Sequence, residues 1–228
     1  MFVRDCMTRD PITVRPESDP LAALTLLKYG GFHHLPVTDA EGRPVGIVSR
    51  ADLEVFLQTA GSPGVLKRQH RVAQVMRSDV VTVGPDCPLE EAASLMVRHR
   101  IGSLPVVEHE RVTGIITKTD ILKQFAALLG GASHSLRLTV QVPNTPGQLA
   151  ELARRVAGCG GNITSIVAYD AAGSERIRFV LRVEDVALDG LLAAVVDQPG
   201  LTVLHVWCGD GPHVPIPLPA AAGPAAAP

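Results

Sequence analysis

Gly46-Ile47-Val48-Ser49-Arg50-Ala51-Asp52 and Gly114-Ile115-Ile116-Thr117-Lys118-Thr119-Asp120 are one pattern written twice, G-h-h-[S/T]-x-x-D, where h is aliphatic. Each copy begins with the aliphatic density of a strand, and its hydroxyl followed three residues later by a carboxylate marks the start of a helix. Outward from these segments the duplication widens. Val3, Met7, Asp10, Thr13, Val14, Pro16, Ala23, Leu35, Pro36 and Val37 recur 69 residues later as Val72, Met76, Asp79, Thr82, Val83, Pro85, Ala92, Leu104, Pro105 and Val106. From Gly46 onward the shift is 68, so one residue is lost between Val37 and Gly46, in a loop joining two strands, where a deletion costs least.

Each repeat reads as a short strand (12–14 in the first), a helix (19 to about 29), a strand (34–38), a turn, a strand (45–49) and a helix (51–57). The helices follow from apolar spacing, with Leu24 and Leu27 after Leu21 and with Phe56 and Leu57 after Leu53. The repeats are expected to span residues 1–58 and 72–129, joined by a Gly-, Pro- and Lys/Arg-containing linker, 59–71, whose basic run reads as a solvated segment.

After Gly130-Gly131 the repeat does not recur. Leu136, Leu138, Val140 and Val142 alternate with other residues as in a half-buried strand, Asn144-Thr145-Pro146-Gly147 opens a helix, and two strands, a helix and a last strand follow. The βαββαβ order over 135–208 predicts a split βαβ sheet with both helices on one face. The Pro- and Ala-rich stretch 211–228 is expected to remain unstructured.

The chain has 228 residues, of which 46% are hydrophobic and 19% charged, a balance that suits buried cores. Lys and Arg number 21 against 23 Asp and Glu, so electrostatic capture of nucleic acid or of acidic membranes is not expected. Cys6, Cys87, Cys159 and Cys208 are widely spaced and form no C-x-x-C pair, which points to neither a disulfide framework nor a metal site. No apolar run is long enough to span a membrane, and the expectation is a cytoplasmic protein. None of the catalytic motifs H-E-x-x-H, G-x-S-x-G, G-x-x-x-x-G-K-[S/T] or G-x-G-x-x-G is present, and no enzymatic activity or catalytic cofactor is expected.

The duplicated motif has two readings. Ser49 with Asp52, and Thr117 with Asp120, form capping boxes worth about 1 kcal/mol each. The same groups place a hydroxyl, main-chain N–H donors and a carboxylate at a helix start, where the donors suit a phosphate and the carboxylate suits two adjacent sugar hydroxyls. The second reading points to a nucleotide.

On these residues, with the Met7-Thr8 and Met76 starts, Thr13-Val14 and Thr82-Val83, and Leu35-Pro36-Val37 and Leu104-Pro105-Val106, residues 1 to about 128 resemble a tandem pair of CBS (cystathionine β-synthase) domains, the Bateman module. The resemblance implies a mixed α/β fold in which two βαββα units pack about a pseudo-two-fold axis, with two clefts for AMP, ADP, ATP or a related adenosyl ligand. Carried over, one cleft uses Ser49 and Asp52 with Thr82 and Val83, and the other Thr117 and Asp120 with Thr13 and Val14. His33 and His34, where family members place phosphate-binding basic side chains, are assigned to the Ser49/Asp52 cleft and are expected to gain charge beside phosphate.

Residues 136 to about 207 resemble an ACT domain, through Asn144-Thr145-Pro146-Gly147-Gln148-Leu149 and Gly161-Asn162-Ile163. That resemblance implies a ferredoxin-like fold and an amino-acid site at Asn144, Gly147, Gln148 and Asn162, although Asn144 also reads as an ordinary helix N-cap. The combination is similar to the acetoin-utilisation (AcuB) type, whose members are regarded as regulatory. The expected function is therefore nucleotide sensing by a homodimer that acts on a regulated protein. The alternatives are amino-acid sensing by the ACT domain with structural CBS repeats, or a scaffold.

Overall fold

The computed structural model describes residues 1–59, 70–130, 135–169, 175–196 and 198–208. Most of the linker and the whole 211–228 stretch therefore lie outside the described residues. The chain divides into two units, Met1–Gln124 and Phe125–Pro228.

In the first repeat, β1 (Thr8–Arg9) is followed by α1 (Pro20–Gly30), the hairpin β2 (His34–Thr38) and β3 (Pro44–Ser49), and α2 (Arg50–Thr59). Helix α1 starts where the Asp19 carboxylate accepts from the Leu21 N–H at 3.0 Å, with Pro20 in the first turn, and it ends on Gly31 at φ 68°. It buries Ala23, Leu24 and Leu27 against Leu35, Val37, Val48 and Leu53. The second repeat has α3 (Leu89–His99), the hairpin β4 (Ser103–Glu108) and β5 (Arg111–Thr117), and α4 (Lys118–Leu128).

The start of each repeat is built into the other. Thr8 and Arg9 pair with Ile115 and Gly114 on β5, and Arg77 bridges Ile47 on β3. Val72 is fully buried in the core of the first repeat, while the Val3 and Arg4 N–H groups donate to the carbonyls of Cys87 and Pro85.

The strand expected over 12–14 is a single parallel bridge, Val14 to Val37, matched by Val83 to Val106. The Val14 N–H donates to the Pro36 carbonyl and the Thr38 N–H to the Val14 carbonyl. The next bond of a parallel ladder would run from residue 36 to the carbonyl of residue 12, and proline has no N–H to give. Pro105 stops the Val83 pairing in the same way.

The second unit is the expected split βαβ fold. Strands β6 (Leu136–Pro143), β7 (Asn162–Tyr169), β8 (Arg176–Glu184) and β9 (Thr202–Cys208) form an antiparallel sheet in the order β7-β8-β6-β9. Leu138, Val140, Val142, Phe179, Leu181 and Val183 point to one face, where Leu152 and Val156 of α5 (Gln148–Gly158) and Leu191 and Val195 of α6 (Leu188–Val196) close the core. Among the described residues no helix is long and apolar enough to cross a membrane.

Candidate functional site

Two clefts of the first unit are related by the repeat. Each takes its motif from one repeat and most of its remaining walls from the other. The first has Ser49 and Asp52 at the β3–α2 junction, Arg77 and Asp79 to Val81 from the start of the second repeat, and Arg100 to Ser103 where α3 leads into β4. The second has Thr117, Thr119 and Asp120 at the β5–α4 junction, Thr8 and Asp10 to Ile12 from the chain start, and Gly31 to Leu35 between α1 and β2. Their volumes differ, about 140 Å³ for the Ser49/Asp52 cleft and about 500 Å³ for the Thr117/Asp120 cleft.

Both motif carboxylates face their hydroxyls. Ser49 Oγ donates to Asp52 Oδ2 at 2.6 Å and accepts from the Asp52 N–H at 3.1 Å. Thr117 Oγ1 donates to Asp120 Oδ2 at 2.7 Å, and that oxygen also accepts from the Thr117 N–H at 2.9 Å. The capping interaction is thus built at both helix starts. One helix-start amide that the sequence reading leaves for a ligand is already used in each repeat, since the Arg50 N–H donates to the His33 carbonyl and the Lys118 N–H to the Gly102 carbonyl. Each carboxylate keeps a second oxygen, and Asp52 Oδ1 stands 3.9 Å from Arg77 Nη2.

Of the residues assigned from sequence, Ser49, Asp52, Thr117 and Asp120 are brought to the clefts. Thr13, Val14, Thr82 and Val83 fall outside both sets of lining residues. Val14 and Val83 are buried by their bridges to Val37 and Val106, and Thr13 Oγ1 accepts from Thr38 Oγ1 at 3.4 Å. Two residues upstream, Ile12 and Val81 take the lining positions, and their carbonyls have no ladder donor because residues 36 and 105 are prolines.

The histidines need a correction. His33 lines the Thr117/Asp120 cleft and not the Ser49/Asp52 cleft, because the α1–β2 junction packs beside β1 and β1 pairs with β5. His34 borders both clefts and lies against Gly102. Burial, aided by the neighbouring His33, pushes the His34 pKa below its ordinary value of 6.5 against the opposing pull of Asp52. Burial of His34 thus opposes the charge expected of it beside a phosphate.

The basic side chains at the Ser49/Asp52 cleft are Arg77 and Arg100, which the sequence reading missed. Arg100 occupies the repeat position of Gly31, and both hold left-handed backbone, at φ 55° and 68°. An arginine where its twin is glycine was the available signal.

In the second unit the helix N-cap is Gly147, at φ 92°, and not Asn144. Asn144 is exposed, its N–H donating to the Glu175 carbonyl at 2.8 Å, because Pro143 ends β6 one residue before it and the helix begins four residues after it. Gln148 Nε2 donates to Thr145 Oγ1 at 3.3 Å, and Asn162 is exposed at the start of β7 opposite Glu184.

Comparison with known proteins follows the same division. The CBS-domain profile matches residues 3–58 and 72–127, and that of the TTHA0829-like ACT domain matches 134–207. A Vibrio cholerae protein assigned to acetoin utilization (AcuB) is 33% identical, covering 57% of this chain and 93% of its own, with a TM-score of 0.51. The CBS pair of protein MJ0100, solved with 5′-methylthioadenosine and S-adenosyl-L-methionine, is 28% identical over 56% of this chain and 97% of its own, with a TM-score of 0.50. Protein MJ1225 of Methanocaldococcus jannaschii is 35% identical over 135 residues, 54% of this chain. The chain spans about half or less of the length of the first curated relatives it matches.

Proposed function

Because the chain belongs to the CBS-domain proteins, as a tandem pair followed by an ACT domain, we propose that it is a non-enzymatic regulator whose CBS pair binds an adenosyl ligand and transmits that state to a partner protein. The observation that carries this reading is the cross-repeat composition of each cleft, an acidic helix start from one repeat facing an apolar segment with a donor-poor carbonyl from the other.

That pairing suits an adenosine at both ends. The free oxygen of Asp120 or Asp52 accepts from two adjacent ribose hydroxyls, and the carbonyl of Ile12 or Val81 accepts from an exocyclic amine on a planar base. Pro11, Ile12, Phe32, Leu35 and Ile115 supply the apolar walls of the larger cleft. Its volume falls within the roughly 300–1,000 Å³ of small-molecule sites, so it is assigned as the principal site. The smaller cleft opens to a ligand when Arg77 swings away from Asp52, and there Arg77 and Arg100 favour a phosphorylated ligand, AMP, ADP or ATP. The adenosyl ligands of the MJ0100 pair support this choice of ligand class.

Tyr29, Val55, Val97 and Leu122 are exposed on the helices of the pair, apolar side chains that burial against a second copy would cover, and a cytoplasmic homodimer completes the reading. A thermal-shift panel of AMP, ATP, S-adenosylmethionine, 5′-methylthioadenosine and amino acids tests it, since a ligand that binds only the folded state raises the midpoint. The expected responders are adenosyl compounds. A response to amino acids alone transfers the sensing role to the ACT domain.

A further inference from the structure

The sheet of the second unit has a face away from α5 and α6, and its cross-strand rows can be read from the register. One row sets Ser165, Arg182, Arg137 and Trp207 side by side, and the next sets Val167, Val180, Thr139 and His205. Two arginines directly opposite one another repel, and among the described residues neither has a carboxylate within ion-pair distance.

Arg182 is only 7% exposed, and its side chain crosses β6 to lie 5.1 Å from the Trp207 ring centre. Its Nε donates to the Leu129 carbonyl at 3.2 Å and its Nη1 to Ser135 Oγ at 3.5 Å, while Arg137 gives one bond, to Thr139 Oγ1 at 3.1 Å. Each guanidinium has five N–H donors, so most are unspent. Burial and the neighbouring Arg137 both press the Arg182 pKa below its ordinary value. His205 Nδ1, in the same depression, is buried without a hydrogen-bond partner. The depression is open and about 280 Å³ in volume. A like-charged pair with one member buried, the other half-buried and donors to spare calls for an anion between them.

We propose that Arg137 and Arg182, with His205 beside them, form a binding site for a small oxyanion, a carboxylate or a phosphate, on the open face of the C-terminal sheet. Trp207 holds the Arg182 plane by stacking, and the two forks converge on the anion's oxygens. This site is separate from the CBS clefts and from the helix start at Gly147.

The test is calorimetric titration of the full chain at constant ionic strength with two probes, citrate for carboxylates and inorganic phosphate. Saturable binding of one probe is expected, and the probe that binds identifies the chemistry. Arg137→Gln is expected to weaken binding roughly tenfold or more, the loss of charge-assisted bonds from one fork. Arg182→Lys, which keeps the charge and loses the fork, weakens it too, and far-ultraviolet circular dichroism with urea denaturation reports that both variants remain folded. No saturable binding of either probe, or equal binding by the parent and a folded Arg137→Gln protein, overturns the assignment.

Discussion

The Met76 sulfur stands 2.5 Å from the point where a side chain on Gly46 would begin, and the Met7 sulfur stands 2.6 Å from the same point on Gly114. Each methionine comes from the opposite repeat, so the glycine that opens each G-h-h-[S/T]-x-x-D segment is the seat of the exchanged chain start. The adjoining carbonyls of Arg77 and Thr8, at 3.3 and 3.2 Å from those points, narrow the space from the backbone side.

Gly46→Ala and Gly114→Ala should therefore each destabilise the first unit by overpacking, by about 1–3 kcal/mol. The methionine must leave its seat, and the carbonyl behind it cannot yield as far. Urea denaturation measures the effect, and replacement of Met76 by Ala in the Gly46→Ala protein is expected to recover part of the loss.

Arg100 bears left-handed backbone at φ 55°, where glycine stands in the other repeat. Arg100→Gly should gain about 1 kcal/mol or less, because relief of strain is partly offset by the greater freedom of glycine in the unfolded chain. The same variant should weaken AMP or ATP at the Ser49/Asp52 cleft and leave uncharged 5′-methylthioadenosine unaffected. Opposite signs in the unfolding midpoint and in nucleotide affinity would mark a residue kept for its ligand.

His34 gives the protein a pH signature. Its folded pKa lies below 6.5, so the unfolded chain takes up the proton first as pH falls. The stability that its neutral form contributes is present above pH 6.5 and is lost as pH drops through the folded value. His34→Gln should flatten the decline in unfolding midpoint between about pH 7 and 5 relative to the parent.

Much of this was legible in the sequence because duplication leaves a signal that local propensity cannot. Ser49, Asp52, Thr117 and Asp120 were found by recurrence and do stand at the clefts, and the hairpins and the C-terminal sheet follow from β-branched runs and alternation. The cross-repeat make-up of the clefts follows from the family resemblance and not from the recurrence of Met7, Met76, Gly46 and Gly114, because spacing within a repeat does not say which copy a segment packs on. For that reason spacing alone does not put His33 at the Thr117/Asp120 cleft, whereas His34 does border the Ser49/Asp52 cleft expected for it. Thr13, Val14, Thr82 and Val83 stand just past the lining residues Ile12 and Val81, an offset that spacing does not show, since the effect of Pro36 and Pro105 on the ladder depends on which strand lies beside them. Asn144 failed as a cap because Gly147 offered a left-handed residue next to the helix.

The most direct test of the adenosyl-ligand assignment is calorimetric titration of AMP and of S-adenosylmethionine into the parent, Asp52→Ala and Asp120→Ala proteins, with urea denaturation to confirm folding. Loss of the capping carboxylate is expected to cost about 0.5–2 kcal/mol of stability and leave the fold in place. The account predicts that Asp120→Ala weakens binding at the larger cleft roughly tenfold or more and that Asp52→Ala removes only the weaker, phosphate-dependent event. Identical isotherms for all three folded proteins, or no binding of either ligand by the parent, would contradict it.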